Sequence, residues 1–188
     1  DNGCTISNSG TFQMHGDETL TSGSLSISGG NTKIMDASGA TLTSSLTALN
    51  NVEFNSSGNT FTLSEDMNYI AGSVTIASGT ILDVSGSNFG ITADGFTNNG
   101  TFNGRTSTVT FDGGTVSGTN TFNNVELNGA VDFGSSSTVN GILNINNGGS
   151  VTGNAPVYGD LSTLVYKTGA VFARSTESVS YTHLTLPT

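Results

Sequence analysis

The sequence predicts an all-β fold of the parallel β-helix type, a β-solenoid whose strands stack in successive coils. The first observation behind this prediction is a near-copy inside the chain. Residues 49–55, Leu-Asn-Asn-Val-Glu-Phe-Asn, recur far along the chain at residues 122–128 as Phe-Asn-Asn-Val-Glu-Leu-Asn. Long-range copies of this kind are typical of repeat architectures, in which each unit stacks on the next.

The second observation is the alternation of apolar and polar residues within both copies. Val52 and Phe54 in the first copy, like Val125 and Leu127 in the second, flank a glutamate. Successive side chains of a strand point to opposite faces, so this pattern predicts strands with one buried and one polar face. No stretch of the sequence shows the i, i+3, i+4 and i+7 apolar spacing of a capped amphipathic helix.

The composition favours a thin, elongated core. Of the 188 residues only 34% are hydrophobic and none is tryptophan, whereas glycine occurs 26 times and proline twice. Regularly spaced Val, Ile, Leu and Phe distinguish the chain from a disordered one, which lacks a recurrent face to bury. A β-sandwich is the alternative architecture; it explains the alternation but not the long-offset copies.

Short alternating runs that end in Gly or Asn mark the individual strands, and Ser-Gly, Gly-Gly or Asn-Gly pairs mark the turns between them. The predicted strands are residues 24–28, 32–36, 40–44, 51–55, 60–64, 73–77, 81–85, 108–112, 121–127 and 142–145.

A second correspondence supports a long internal period. Residues 72–76, Gly-Ser-Val-Thr-Ile, align with residues 141–145, Gly-Ile-Leu-Asn-Ile, at nearly the same offset as the first pair of copies. A period of about 70 residues divides into about three coils of about 20–25 residues each. The sequence therefore predicts a right-handed β-helix of about seven or eight such coils.

Polar residues at the corners have a structural explanation in this fold. Gly and Asn can adopt positive φ at a corner, and stacked Asn and Thr side chains can form ladders between coils. Asn51 and Asn124 are therefore predicted to be turn or ladder residues rather than ligands.

The charge excludes some classes of partner. The formal net charge is −10, with 14 acidic residues against four Lys and Arg, so nucleic acid and anionic lipid are disfavoured. No apolar run approaches the roughly 20 residues of a membrane-spanning helix. The single cysteine, Cys4, can close no intrachain disulfide.

The last ten residues differ from the rest of the chain. Residues 179–188, Val-Ser-Tyr-Thr-His-Leu-Thr-Leu-Pro-Thr, contain no Gly or Asn and resemble the translation of a transposase adapter used in sequencing libraries. We expect residues 1–178 to be a solenoid segment truncated at both ends, and residues 179–188 to be a non-native tail.

One part of the chain resembles a known group of proteins. Residues 96–104, Phe-Thr-Asn-Asn-Gly-Thr-Phe-Asn-Gly, together with residues 107–114, 116–118 and 121–125, resemble a pattern of very large secreted bacterial surface proteins. Residues 161–169, followed by Arg174 and Glu177, are similar to a further signature of these autotransporter-adhesin and haemagglutinin-like proteins. The resemblance implies export, cell-surface display and a stalk-like or adhesive role. The implied partners are glycans, other surface proteins and neighbouring repeats.

A glycan-cleaving enzyme is the main alternative, because β-helices also carry polysaccharide lyases and hydrolases. Such enzymes need convergent carboxylates with a basic or metal partner. The sequence offers single aspartates near turns, with no His or Arg nearby apart from Arg105, which lies close to Asp112. The adjacent pair Glu65-Asp66 would direct its carboxylates to different sides of a strand. The candidate aspartates are Asp36, Asp83, Asp94, Asp112 and Asp132.

Other chemistry finds little support in the sequence. His15, Asp17 and Glu18 could be read as metal ligands, but a solvated loop explains them better, and no EF-hand or calcium-binding nonapeptide is present. The Thr-x-Thr pairs Thr41/Thr43 and Thr108/Thr110 are too few to favour binding to ice or a crystalline polysaccharide. We therefore expect a non-catalytic segment without catalytic residues, cofactor or metal site.

Overall fold

The computed structural model shows a β-solenoid in which every described element is a strand. It describes residues 5–7, 10–14, 19–20, 25–34, 41–42, 46–68, 70–169 and 176. In chain order the strands are β1 (Thr5–Ser7), β2 (Thr11–Met14), β3 (Thr19–Leu20), β4 (Leu25–Ile34), β5 (Thr41–Leu42), β6 (Leu46–Phe54), β7 (Thr60–Thr62), β8 (Ser73–Ile76), β9 (Ile81–Asp83), β10 (Ile91–Ala93), β11 (Gly95–Asn98), β12 (Thr101–Asn103), β13 (Thr108–Phe111), β14 (Gly114–Gly118), β15 (Asn120–Phe122), β16 (Asn124–Leu127), β17 (Ala130–Asp132), β18 (Ser137–Val139), β19 (Ile142–Asn146), β20 (Ser150–Val151), β21 (Val157–Tyr158) and β22 (Thr163–Lys167).

The strands form parallel sheets that run along the stack. Sheet 1 has the order β1-β4-β6-β8-β11-β14-β17-β20, with β2 also paired to β4, and sheet 2 has the order β10-β13-β16-β19-β22. The third side consists of two separate sheets, 3a (β7-β9-β12) and 3b (β15-β18-β21). A short sheet pairs β3 with β5. All of these pairings are parallel, as predicted for a β-helix.

From β8 onward each turn of the solenoid contributes one strand to sheet 1, one to the third side and one to sheet 2, in that order. The described residues form about six turns. Parallel strands are about 4.8 Å apart, so six turns extend for roughly 30 Å. Parallel pairing joins residues 16 to 24 positions apart in neighbouring turns, so some turns are shorter than the predicted coils. The total of seven or eight coils and the right-handed winding stay predictions.

The core is narrow and runs the length of the stack. In most strands whose side chains the structure describes, buried residues alternate with more exposed ones, and Val52 packs above Val74 and Phe96 in successive turns of sheet 1. Phenylalanine rings fill the middle turns, where Phe96 contacts Phe102, Phe111 and Phe122 at centroid distances of 5.1, 6.5 and 5.7 Å. This edge-to-face packing gives the core its volume without tryptophan.

The near-copy in the sequence relates strands on different sides of the solenoid. The first copy lies in β6 of sheet 1, and the second lies in β16 of sheet 2. The offset between the copies is therefore not a whole number of turns, contrary to the expectation that the long internal period makes three coils. Turns of unequal length move the second copy from one side of the solenoid to another.

Several features named from the sequence lie outside the described residues. They are Cys4, His15, Asp17, Glu18, Asp36, Thr43, Arg174, Glu177 and the tail at residues 179–188.

Candidate functional site

The asparagines of the two sequence copies hold neighbouring turns together. Asn51 Oδ1 accepts a hydrogen bond from the backbone N–H of Ser73, one turn later, at 2.8 Å. Asn124 Oδ1 accepts the equivalent bond from Ile142 N at 3.1 Å. The prediction that both asparagines are turn or ladder residues is confirmed, and the copies share this function on different sheets.

Most of the candidate aspartates also bond to their own or a neighbouring turn. Asp132 Oδ1 accepts hydrogen bonds from Gly134 N at 2.9 Å and from Asn154 N at 3.0 Å, which lower the pKa of its carboxyl. Asp112 Oδ1 accepts from Asn128 Nδ2 at 2.8 Å. Asp94 is exposed after β10. In the described part of the chain, no three His, Cys, Asp or Glu side chains are grouped as a metal site would require.

The adjacent acidic residues Glu65 and Asp66 have separate environments. Asp66 is exposed, and its Oδ1 accepts a hydrogen bond from Gly90 N at 2.7 Å. Glu65 Oε1 is buried and has no hydrogen-bond partner among the described residues. The two carboxylates therefore do not share a site, in agreement with the sequence prediction.

Arg105 pairs with a different aspartate from the one nearest in sequence. Its Nε and Nη2 donate to Asp83 Oδ1 and Oδ2, both at 2.8 Å, in a bidentate ion pair between neighbouring turns. The Asp83 residue is only 8% exposed. The Arg105 hydrogen bonds are the main cause that lowers the pKa of Asp83, although burial acts in the opposite direction.

The Asp83–Arg105 pair fixes an unusual corner. Arg105 has φ +44°, a left-handed conformation that is uncommon for residues other than glycine. Ser85, two residues after Asp83, has φ +63° and donates its backbone N–H to Asp83 Oδ1 at 2.7 Å. Because Asp83 lies opposite Asn103 in the strand register, Ser85 and Arg105 occupy the same corner of successive turns.

The third side of the solenoid is interrupted directly after this corner. Strand pairing joins β9 to β12 and β15 to β18, but no pairing joins β12 to β15 among the described strands. The corner that leads into sheet 2 shortens at this point. It comprises residues 104–107 after β12 but only Asn123 after β15. Corner length alone does not account for the break, because the corner also shortens from residues 84–90 after β9 to residues 104–107 after β12, and those two strands are paired.

An open groove of about 450 Å³ lies at this interruption, and we call it the break groove. Residues of β12 and its corner line one side, and residues of β15, its corner and the next corner line the other. Its lining residues are Phe102, Asn103, Gly104, Arg105, Thr121, Phe122, Asn123 and Asn140.

The break groove carries polar side chains with unused hydrogen-bonding capacity. Among the described residues, the side chains of Thr121, Asn123 and Asn140 make no hydrogen bond to protein. The Arg105 side chain is 48% exposed and its charge is balanced by Asp83. The groove can therefore donate and accept hydrogen bonds, but its described lining presents no unpaired charge.

Two further shallow grooves lie on the outer surfaces of sheets 1 and 2. The groove on sheet 2 includes both members of the predicted pair Thr108/Thr110, with Thr92 one turn earlier opposite Thr110. One turn later Glu126 replaces threonine at this position, so the threonine row is short, as the sequence indicated.

The sequence analysis did not find the break groove. The polar residues that line the groove are about one turn apart in the sequence. The long period inferred from the two copies spans several turns, so it does not bring these residues together. Pairs of Asn residues spaced 16 to 24 positions apart would have been the available signal, because residues at that spacing become neighbours.

The chain matches no protein-family model, and no curated protein or solved structure is significantly similar to it. None of the described residues forms a helix that is long and apolar enough to cross a membrane. The residues that carry the resemblance to surface proteins include the core side chains Phe96, Phe102, Phe111 and Phe122, and Asn98, the last residue of β11. What the structure shows is therefore a repetitive β-solenoid.

Proposed function

We propose that this chain is a non-catalytic segment of a secreted, cell-surface repeat protein and that it serves as a stalk or adhesion surface. The observation that carries the proposal is the continuous parallel pairing of sheets 1 and 2 through successive turns. Such a stack transmits load through backbone hydrogen bonds between all turns and presents long polar faces.

The use of the carboxylates supports a structural role. Asp83, Asp112 and Asp132 each bond to a residue of a neighbouring turn, and they lie at different corners. The resemblance to autotransporter-adhesin and haemagglutinin-like proteins supports the surface location. No observation on the described residues favours the alternative, the scaffold of a polysaccharide lyase or glycoside hydrolase.

The proposal is tested by immobilising the full chain on beads and measuring retention on purified polysaccharides and on cell surfaces. New reducing or unsaturated sugar ends are measured in the same samples. Retention without product formation supports an adhesion surface. Product that increases with protein concentration overturns the proposal in favour of the enzyme.

Single-molecule pulling tests the stalk separately. A turn of 16 to 24 residues releases about 50–80 Å when it extends fully. We expect force peaks at about this spacing as turns detach one after another. Smooth extension without peaks, as for an unstructured polymer, would refute the stalk.

A further inference from the structure

We infer that the break groove is a binding site for a neutral oligosaccharide chain. This inference rests on the proposed function, because it assigns the adhesive contact to one place on the solenoid. It follows from the shape of the groove, from the chemistry of its side chains and from the balanced charge of its described lining.

The shape suits a segment of a longer chain. A volume of about 450 Å³ lies within the roughly 300–1,000 Å³ of small-molecule sites, but the groove is open rather than enclosed. An open groove lets a polymer pass across it, whereas a small free metabolite would bury little of its surface there. Along the axis of the stack, the groove ends at the corner of residues 104–107 on one side and at the corner of residues 140–141 on the other.

The side chains suit hydroxyl groups. A carboxamide offers both a donor and an acceptor, as does a sugar hydroxyl, so Asn123 and Asn140 can each bond to hydroxyls of a sugar ring. Thr121 adds a hydroxyl on the same wall. The ring of Phe102, 8% exposed, supplies a small apolar contact for the carbon face of a sugar.

The charge distribution selects neutral sugars over acidic ones. Asp83 occupies two nitrogens of Arg105, which leaves the ion pair neutral overall and the guanidinium fixed in place. The chain as a whole carries a net charge of −10, which repels polyanions such as uronate polymers. A site for an acidic glycan would need an unpaired cation, and Arg105 is already paired.

An inserted peptide strand does not fit the groove. The two turns that flank it are directly paired on both other sides, Phe96 with Val116 in sheet 1 and Val109 with Val125 in sheet 2. Phe102 and Phe122 also remain 5.9 Å apart across the break. The turns therefore cannot separate by a whole strand.

Isothermal titration calorimetry on the full chain tests the inference. The neutral probes are cellohexaose, xylohexaose, mannohexaose and chitohexaose, and the anionic probe is hexagalacturonate. We expect at least one neutral probe to bind and the double variant N123A/N140A to weaken its binding at least about fivefold. The matched control is Asn147→Ala, since Asn147 is exposed in the turn before β20, away from the groove.

The outcomes separate this inference from the proposed function. Equal binding of a neutral probe to N123A/N140A and to wild type overturns the assignment of the binding site to the groove. Adhesion through another face of the solenoid is still compatible with that result. Preference for hexagalacturonate overturns the assignment to neutral sugars. Failure of every neutral probe to bind at millimolar concentration overturns the groove site, while the stalk is still judged by the pulling experiment. Circular dichroism of each variant shows whether the fold is retained.

Discussion

Replacing Phe96 with alanine should cause one of the largest losses of stability in this chain. The side chain is fully buried and contacts three other rings, at centroid distances of 5.1, 5.7 and 6.5 Å. Phe-to-Ala changes in protein cores cost about 3–5 kcal/mol, and each aromatic pair adds about 0.5–1.5 kcal/mol beyond area burial. With three pairs lost, we expect the upper part of that range, at least about 4 kcal/mol.

Urea unfolding followed by far-ultraviolet circular dichroism measures this loss. Leu161→Ala is the matched control, because Leu161 is 91% exposed and its truncation should change stability by no more than about 0.5 kcal/mol. Hydrogen exchange should show the loss of protection centred on β8, β11 and β14, the strands that pair with or flank Phe96. A loss below about 1.5 kcal/mol, or equal to that of Leu161→Ala, would refute the view that these rings hold the middle turns together.

Three further predictions address the corners and the ladders. Gly118→Ala should destabilise the fold by about 1–3 kcal/mol in urea unfolding, because Gly118 has φ +79° and a Cβ there would collide with a backbone carbonyl of the preceding turn. Gly86→Ala, with open space around the new Cβ, should be tolerated, and equal effects would contradict this reasoning. Asn124→Ala should cost about 1 kcal/mol through its lost bond to the next turn, whereas Asn147→Ala should have little effect on the same unfolding curve. Since the pKa of Asp83 is lowered in the folded protein, its contribution to stability is present above about pH 4 and is lost as the pH falls through the lower folded value. Asp83→Asn should therefore flatten the decrease of Tm below about pH 4, and an unchanged pH profile would show that the ion pair contributes nothing.

The fold class could be predicted from the sequence because the alternation of apolar and polar residues within a strand is a local signal. The alternating run around Val74 predicts residues 73–77, and β8 covers Ser73–Ile76. Strands β10, β11, β14, β17 and β18 were not predicted, whereas the equally short β7 and β9 were. A run of three to five residues shows at most two alternations, so periodicity identifies some of these strands and misses others. The predicted strand at 121–127 is divided at Asn123, where the chain turns from the third side to sheet 2.

The partners of charged side chains were less predictable. Arg105 lies near Asp112 in sequence, but in a solenoid the neighbours of a residue are one turn away, and Arg105 pairs with Asp83. The break groove depends on the lack of pairing between β12 and β15 among the described strands, although both belong to the third side. Which strands of neighbouring turns pair depends on contacts across the stack, which no local pattern records.

The asparagine bond between turns has a consequence for how internal copies are recognised in such chains. Asn51 and Asn124 make the same bond to the next turn, although one lies in sheet 1 and the other in sheet 2. The same short segment thus makes the same bond between turns on two sides of the solenoid. Two such copies therefore need not be separated by a whole number of turns. Internal copies in such a chain are found by matching strand pairs rather than by searching for a constant repeat length.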